Sequence, residues 1–395
     1  MKLNSITLAA LLLIAGCSGN QDSGNSGQIE GEGCKTLDIT EAMEMEPKSI
    51  EDYLESVKVI PLESSTRTAL ADFADVTVGK RSIFATSRGN AMVFGLDGKA
   101  IRILSKGQGP EEYVYAGTIK YLPEEDCFYL WDIFQSKIIK YDGLGQHVTN
   151  YYVKRLYARD FFPADRGFLF TQNPEESEDG TNYKVFLTDS IADIRKTWVM
   201  GPDVLDAGRS DNFRIVDGEI AFGISVRNII YTYKDGQISK RYEIKYDGMP
   251  EIDCEKLPKW SEVEKEYPDT YFLNGSLETR DYLFLNLKST DMKIVRVPIL
   301  YNKKSGKYLK INDGQSSDSF ISWMFTRGIL GVAGDGESFV GIVEPSRYLE
   351  QTNPNMRWDG SNYGNILSDT DIERLKALTD DDNPVVVLIK VKSDI

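Results

Sequence analysis

The sequence predicts an all-β protein, a six-bladed β-propeller, and three observations lead to that prediction. Short runs rich in β-branched and aromatic residues, each broken by a turn, follow one another from residue 57 onward. Polar turn residues recur before the last run of each group, at Asp97, Asp142, Asp189 and Asp235, in steps of 45, 47 and 46 residues. A period of roughly 40–50 residues with four strands is typical of propeller blades. Finally, one strand at the start belongs to no blade, and the last blade lacks one strand.

The N-terminal segment predicts export and a lipid anchor. Residues 1–16, "MKLNSITLAALLLIAG", hold one basic residue before an apolar run that is too short to span a bilayer, which is typical of a signal peptide. The run leads into "LIAGC", which resembles the bacterial lipobox, so Cys17 is the predicted acylated residue. A plain secretory signal with an incidental cysteine is the alternative. Residues 17–50 open with a stretch rich in Gly, Ser and Asn, which predicts a flexible, lipid-anchored tether.

The first four predicted blades follow in order, each recognised by three strands and the polar turn between the last two of them. These strands are residues 82–87, 90–95 and 100–104; 127–132, 137–142 and 147–153; 167–172, 182–189 and 193–199; and 219–225, 228–234 and 238–244. The fifth equivalent turn, at Asn302, comes 67 residues after the fourth. A polar and part-helical insertion at residues 248–270 accounts for the extra length.

The sixth predicted blade is interrupted and incomplete. Its strands are residues 328–334, 338–344 and 384–391, and the insertion between the last two contains "SDTDIERLKALTD", a capped amphipathic helix. The spare strand "VKVIPLE", residues 57–63, should pair with the last strand and close the ring, which covers two open sheet edges. Residues 51–395 are therefore predicted to form one propeller domain.

A glycine-rich stretch, "SKGQGPEEYVYA", is predicted to cross from the outer strand of blade 1 to the inner strand of blade 2. Gly107 and Gly109 supply backbone conformations that other residues avoid. The stretch lacks the Gly-Lys-Ser/Thr of a phosphate-binding loop, so a structural joint is the favoured interpretation. Glu111, Glu112 and Tyr113 lie on the face where propellers commonly bind ligands, which makes them candidate ligand-binding residues.

The segments "VKVIPLE", "GQGPEEY" and "WDIFQSKIIKYD" resemble the six-bladed propeller lipoproteins of Bacteroidetes, which are propellers of the NHL/TolB-like kind. The resemblance covers most of residues 57–153, and it extends to the later blades only through their periodicity. It implies a propeller fold and an outer-membrane lipoprotein of the cell envelope, either periplasmic or surface-exposed. It implies no particular ligand or activity.

Composition excludes several classes of function. The formal net charge of −15 disfavours nucleic-acid binding, which needs a basic surface. The single histidine, His147, begins a predicted outer strand, which argues against Ser-His-Asp and Cys-His catalysis and against multi-histidine metal centres. The cysteines after Cys17 form no CxxC pair, and pairing of Cys34 with Cys254 stays open. We therefore predict no metal and no cofactor, and we assign no catalytic residue.

Basic side chains recur at matching positions in the predicted loops between second and third strands. These candidate ligand-binding residues are Arg88, Lys137, Arg227, Lys288 and Arg347. One interpretation is that they are ordinary solvated turn residues, since exposed charges are the usual case. The other is an electropositive rim that binds an anionic ligand.

The function predicted is a ligand-binding or protein-interaction module of the cell envelope, held at the membrane by its lipid. Its predicted ligand is a glycan, a small molecule or a protein, with an anionic glycan or metabolite indicated by the basic loops. One alternative is a glycan hydrolase or lyase that uses carboxylates or a tyrosine, and a paired, partly buried carboxylate set at the channel mouth would favour it. A scaffold subunit is another alternative, and an apolar patch on the outer rim would favour it. Fold alone does not choose among them.

Overall fold

Six sheets around a common axis form the fold, and each contains the four antiparallel strands of one propeller blade. The computed structural model describes residues 27–31, 33–70, 75–87, 89–153, 158–172, 182–190, 193–202, 213–224, 227–253, 256–257, 259–290, 296–312, 320–327, 329–343, 366–379 and 381–395. The prediction of an all-β, six-bladed propeller is confirmed. Within these described residues, no helix is long and apolar enough to cross a membrane.

Each blade has four strands, which lie side by side in order from the axis to the rim. Blades 1 to 3 are β4 (Asp75–Val78), β5 (Ser82–Ser87), β6 (Asn90–Gly95) and β7 (Ala100–Ile103); β8 (Ile119–Leu122), β9 (Cys127–Asp132), β10 (Lys137–Asp142) and β11 (His147–Tyr152); and β12 (Ala158–Ala164), β13 (Gly167–Gln172), β14 (Asn182–Thr188) and β15 (Ile194–Pro202). Blades 4 and 5 are β16 (Arg214–Val216), β17 (Glu219–Ile224), β18 (Ile229–Lys234) and β19 (Gln237–Lys245); and β20 (Tyr271–Glu278), β21 (Tyr282–Ser289), β22 (Arg296–Asn302) and β23 (Tyr308–Lys310). Blade 6 is β24 (Ile329–Val332), β25 (Phe339–Val343), β26 (Val385–Val391) and β3 (Leu54–Pro61).

The hydrophobic core lies between neighbouring blades, because the strands place large apolar side chains on both faces of each sheet. Phe84 of blade 1 packs against Phe128 of blade 2, with ring centres 5.1 Å apart. Trp131 of blade 2 meets Phe161 of blade 3 edge-on at 5.6 Å. Such contacts hold each blade to the next one, so the ring is stabilised as a whole rather than blade by blade.

The predicted repeat is confirmed at the hairpins between third and fourth strands. The Asp142 Oδ1 atom accepts hydrogen bonds from the backbone N–H groups of Leu144 and Gln146, at 2.9 and 2.8 Å. In blade 5, the Asn302 Oδ1 atom accepts from the N–H groups of Lys304 and Ser305, both at 2.9 Å. Both side chains therefore hold their turn by capping backbone donors, as short polar side chains do in turns.

Ring closure follows the predicted pairing. The outermost strand of blade 6, β3, is antiparallel to β26, with Val57 opposite Ile389 and Val59 opposite Val387. The start of the chain thus supplies the fourth strand of the last blade. This arrangement joins the two ends of the domain in one sheet and leaves β26 without a free edge.

The helices lie in the insertions and near the N-terminus. They are α1 (Thr40–Glu44), a 3₁₀ turn (Ile50–Tyr53), α2 (Trp260–Glu266), α3 (Phe320–Arg327) and α4 (Asp369–Lys376). Two of them, α2 and α4, are the predicted helical insertions. The predicted cap of α4 is present, because the Ser368 hydroxyl accepts a hydrogen bond from the Asp371 N–H at 3.1 Å.

The predicted flexible tether is wrong over its described part. Two short strands, β1 (Ile29–Glu30) and β2 (Lys35–Asp38), pair in parallel with the outer edge of β19, which supplies the backbone partners that the segment lacks on its own. Leu37 and Ile39 are buried against blades 4 and 5. We call residues 27–31 and 33–53 the N-terminal strap. The predicted signal peptide and Cys17 lie outside the described residues.

Candidate functional site

The glycine-rich stretch forms a structural joint, as predicted, and Tyr113 lies inside it. The Tyr113 side chain is 1% exposed, and its hydroxyl accepts a hydrogen bond from the Ala91 N–H at 2.8 Å. Its backbone is tied back to Ser105 and Gly107. Tyr113 therefore holds the joint to blade 1, which corrects its predicted role as a ligand contact.

Lys137 is also part of this joint rather than of an exposed rim. Its side chain is 1% exposed, and its Nζ donates to the carbonyl oxygens of Glu112 and Gly109, at 2.5 and 3.3 Å. Burial lowers the pKa of the Lys137 ammonium, although the nearby charges of Asp132 and Glu112 oppose that shift. The Glu112 carboxylate in turn accepts a hydrogen bond from the Gly109 N–H at 2.8 Å. The sequence predicted Lys137 in an exposed loop between second and third strands, but its side chain points into the protein.

Among the other predicted site residues, Lys288 and Arg227 belong to different blades. Lys288 lies over the indole ring of Trp260, with its Nζ 5.0 Å from the ring centre. Arg227 is half-buried in the loop between β17 and β18. Glu111 is exposed, with its carboxylate 3.9 Å from His147 Nδ1. Arg88 and Arg347 lie outside the described residues, so an electropositive rim stays a prediction at those two positions.

A cavity of about 790 Å³ occupies the central channel, and the inner strands of all six blades line it. Its charged lining residues are Asp75, Lys80, Lys120, Glu124, Asp160, Arg214, Asp217, Glu278, Arg280 and Asp335. Among the described lining residues, none belongs to the set predicted from sequence. The channel charges are therefore the feature that sequence reasoning missed.

An ion pair connects three blades on one side of the channel. The Lys120 Nζ of blade 2 lies 2.8 Å from the Asp160 carboxylate of blade 3, and both side chains are almost fully buried. The other Asp160 oxygen accepts from the backbone N–H of Phe213, which precedes the inner strand of blade 4, at 3.0 Å. Opposite charges and a backbone donor thus satisfy this carboxylate inside the protein.

A second buried carboxylate connects blades 4 and 5. Glu278 is 2% exposed, and Arg241 holds it through two hydrogen bonds, at 2.8 and 3.0 Å. The Lys303 Nζ donates to the same carboxylate at 3.0 Å. This paired geometry is the one in which arginine binds carboxylates best.

Arg214 is the cation that faces the cavity between these two groups. It is half-buried, lines the channel, and donates from Nη2 to the hydroxyl of Ser276 at 2.8 Å. Burial lowers the pKa of the Arg214 guanidinium to about 10, although Glu278 opposes the shift. The group is therefore still charged at neutral pH.

The sequence did contain a signal for these residues. Lys120, Asp160, Arg214 and Glu278 all belong to the innermost strands, where "TIKYL", "RDFF", "FRIV" and "GSLE" each place a charge among apolar neighbours. A charged side chain in the innermost strand of a propeller blade faces either a neighbouring blade or the channel. Each signal is a single residue, so only the closed ring shows that they converge.

Two of the described channel carboxylates are buried and held by cations. Asp160 is paired with Lys120, and Glu278 with Arg241 and Lys303. Cleavage of a glycosidic bond by the usual mechanism needs one carboxyl group to be protonated and a second one to be available beside it. Neither group is arranged in that way in this structure. Within the described residues, no cluster of three or more His, Cys, Asp or Glu is placed to hold a metal ion.

Fold and site together define a six-bladed β-propeller with a charged central channel. The chain belongs to the family described as a domain of unknown function (DUF4934), whose sequence profile matches residues 34–390. Among solved structures it is similar to a protein from Bacteroides fragilis that is predicted to be exported, at 14% identity and a TM-score of 0.67, over 91% of this chain and 99% of that one. This likeness supports the fold. A member of the DUF4221 family from Bacteroides vulgatus aligns at 8% identity and a TM-score of 0.48, over 86% and 97% of the chains. No curated protein matches in sequence.

Proposed function

We propose that this chain is a binding module of the cell envelope that takes an acidic small molecule, or the acidic end of a larger one, in its central channel. The single observation that carries the proposal is Arg214, a charged guanidinium that lines a cavity of about 790 Å³. Cavities of roughly 300–1,000 Å³ with a few polar groups are the usual size of small-molecule sites. A carboxylate or sulfate that reaches Arg214 would form charge-assisted hydrogen bonds with its guanidinium.

Binding measurements on residues 27–395 test this proposal. We expect titration calorimetry against a panel of uronic acids, sialic acid and dicarboxylates to give at least one ligand. Arg214→Gln should weaken that binding at least tenfold, since hydrogen bonds to charged groups contribute about 1.5–3 kcal/mol. The matched control is Arg195→Gln, because Arg195 is exposed on blade 3 and pairs only locally with Asp189 among the described residues. Equal affinity of Arg214→Gln and wild type would reject the channel site.

Envelope location rests on the N-terminal sequence and is part of the same proposal. The "LIAGC" segment supports acylation at Cys17, and the similar protein from Bacteroides fragilis, predicted to be exported, is consistent with secretion. We expect wild-type protein to incorporate labelled fatty acid and to sediment with membranes. Cys17→Ala should abolish both results. Wild-type protein that carries no label would reject the anchor while leaving the channel proposal intact.

The scaffold alternative is favoured by one surface feature. On the joint face, which carries the blade-to-blade joints and the loops between second and third strands, Tyr115 and Phe134 are 40% and 69% exposed and meet edge-on at 5.4 Å. Exposed aromatic pairs are common at protein interfaces. If this surface binds a protein, Phe134→Ser should remove a cross-linked partner that the wild type retains in membrane preparations, and ligand affinity in the channel should not change.

A further inference from the structure

A second cavity, of about 660 Å³, continues from the channel across the face of the propeller opposite the joint face. We call it the turn-face groove. It is formed by the turns of blades 2, 3 and 4 that join first to second and third to fourth strands. Glu124, Ile215 and Gly218 line both cavities, so the groove and the channel meet. A ligand in the channel that extends toward this face would enter the groove.

The groove presents charges of both signs beside aromatic rings. Glu124 and Asp235 are exposed carboxylates, whereas Arg166 is an exposed cation. Tyr151 is half-buried, lines the groove, and packs edge-on against Phe168, with ring centres 5.1 Å apart. Packing against Phe168 fixes the orientation of the Tyr151 ring at the groove wall. The groove is therefore a rigid, mixed-polarity surface rather than an apolar or purely anionic one.

The mixture of charges favours a hydroxyl-rich ligand. A hydroxyl group can donate to a carboxylate and accept from a guanidinium, so one type of group satisfies both signs. A polymer that carries a single sign of charge would place some of its charges against like charges, at a cost. The aliphatic faces of sugar rings can also pack against Tyr151. An oligosaccharide therefore matches this groove better than a polyanion or a polycation.

Arg166 gives an independent indication that the groove is used. Its backbone φ is +64°, in the left-handed region that an arginine adopts only at a cost. The equivalent hairpin of blade 4 has glycine at this position, Gly218, after Asp217. Among the described residues, the Arg166 side chain makes no hydrogen bond or ion pair, so no internal contact compensates that strain. Strain of this kind is often found at binding sites.

We propose that the turn-face groove binds the body of an oligosaccharide whose acidic end group occupies the channel. This inference rests on the proposed function of the channel and extends it to a ligand class. The acid would pair with Arg214, and the following sugar units would lie along Tyr151 and Arg166. The site thus recognises the end of a chain, and affinity should grow with chain length.

A length series tests the inference. The probes are oligosaccharides of one to five units that end in a single uronic or sialic acid, with the free acid as the shortest member. For the wild type we expect the Kd to fall at least tenfold from the free acid to the four-unit chain. Arg166→Gly should reduce this gain in affinity with chain length, called the length gain below, to about twofold or less. It should also raise the Tm by about 1–2 °C, because glycine relieves the strain of the left-handed backbone. Tyr151→Ala should reduce the length gain without raising the Tm.

The matched control is Ser136→Gly. Ser136 also has a left-handed backbone, with φ of +49°, but it lies in a loop on the joint face. This variant should raise the Tm in the same way and retain the full length gain. If the free acid binds and longer chains bind no better, or if Arg166→Gly retains the gain, the groove proposal is overturned while the channel proposal stands. If affinity rises with chain length for peptides that end in an acid but not for oligosaccharides, the proposed ligand class is wrong. If no acid binds at all, both proposals fail.

Discussion

Lys137 donates hydrogen bonds from a buried ammonium group to the carbonyl oxygens of Gly109 and Glu112. Lys137→Met keeps the length of the side chain but removes every donor, which leaves these carbonyls without their charged partner. We expect the free energy of unfolding to fall by about 2–4 kcal/mol, measured by urea denaturation. Lys106→Met in the same joint is the control and should change stability by less than about 0.5 kcal/mol, since Lys106 is exposed. Equal stability of the two variants would show that the buried ammonium does not hold the joint.

Residue-scale prediction from sequence succeeded where the signal was local. An aspartate directly before a turn is such a signal, and the Asp132 carboxylate does accept hydrogen bonds from the Phe134 and Gln135 N–H groups, at 3.1 and 3.2 Å. The same reasoning was wrong for Lys137, because position in a loop does not specify which way a side chain points. Lys137 begins β10, so strand alternation and the joint above it decide its burial, and both depend on tertiary structure.

The N-terminal strap begins on blade 3, and its first described residue can be tested. The Gly27 N–H donates to the Thr197 carbonyl at 2.8 Å, and a Cβ on Gly27 would lie 2.1 Å from the Trp198 indole nitrogen. Trp198 is fully buried and cannot move aside easily. We expect Gly27→Ala to release the start of the strap, detected as faster hydrogen exchange at residues 27–30. Gly31→Ala is the control, because a Cβ there meets nothing within 4 Å. Unchanged exchange in both variants would show that the contact does not fix the strap.

At the scale of elements, the strands and their pairing could be predicted, whereas the strap and the channel could not. The strands carry β-branched and aromatic runs at a regular period, and this pattern is a property of the sequence alone. The strap strands β1 and β2 have only two and four residues, and the edge of β19 provides their backbone partners. Lys120, Asp160, Arg214 and Glu278 come from four different blades, so they meet only because the ring closes.

The strap also sets how far the whole propeller can stand from the membrane. If Cys17 carries the lipid, Gly27 lies ten positions further along the chain, and ten steps of extended chain span at most about 35 Å. A tether that ended at residue 50 would reach about three times as far. We expect neutron reflectometry on supported bilayers to place the nearest edge of the propeller within about 35 Å of the headgroups. Gly27→Ala should let the mean separation increase, and a separation well above 35 Å for the wild type would contradict a strap that starts on blade 3.

Buried tyrosines make the stability of the whole molecule depend on alkaline pH. Burial raises the pKa of the phenols of Tyr129, Tyr141 and Tyr233 well above the usual value near 10. Above pH 10 the unfolded chain therefore loses phenol protons that the folded protein still holds, so stability falls as the pH rises. Each phenol contributes at most about 1.4 kcal/mol per pH unit, and this loss continues until the pH reaches the folded pKa. Stability that depends on these phenols is thus fully present below pH 10.

We expect the Tm to be insensitive to these groups at pH 7–9 and to fall steeply above pH 10, with phenolate absorbance near 295 nm appearing together with unfolding. The double variant Tyr129→Phe/Tyr233→Phe tests the assignment. It should be less stable at pH 7, because it loses the hydrogen bonds from these hydroxyls to Glu125 and Asp165. Its Tm should also decline less steeply above pH 10, because two of the linked protons are gone. If the phenols of the wild type ionise near pH 10 while the fold stays intact, these side chains are accessible to water and the packing between blades 2, 3 and 4 differs from that described.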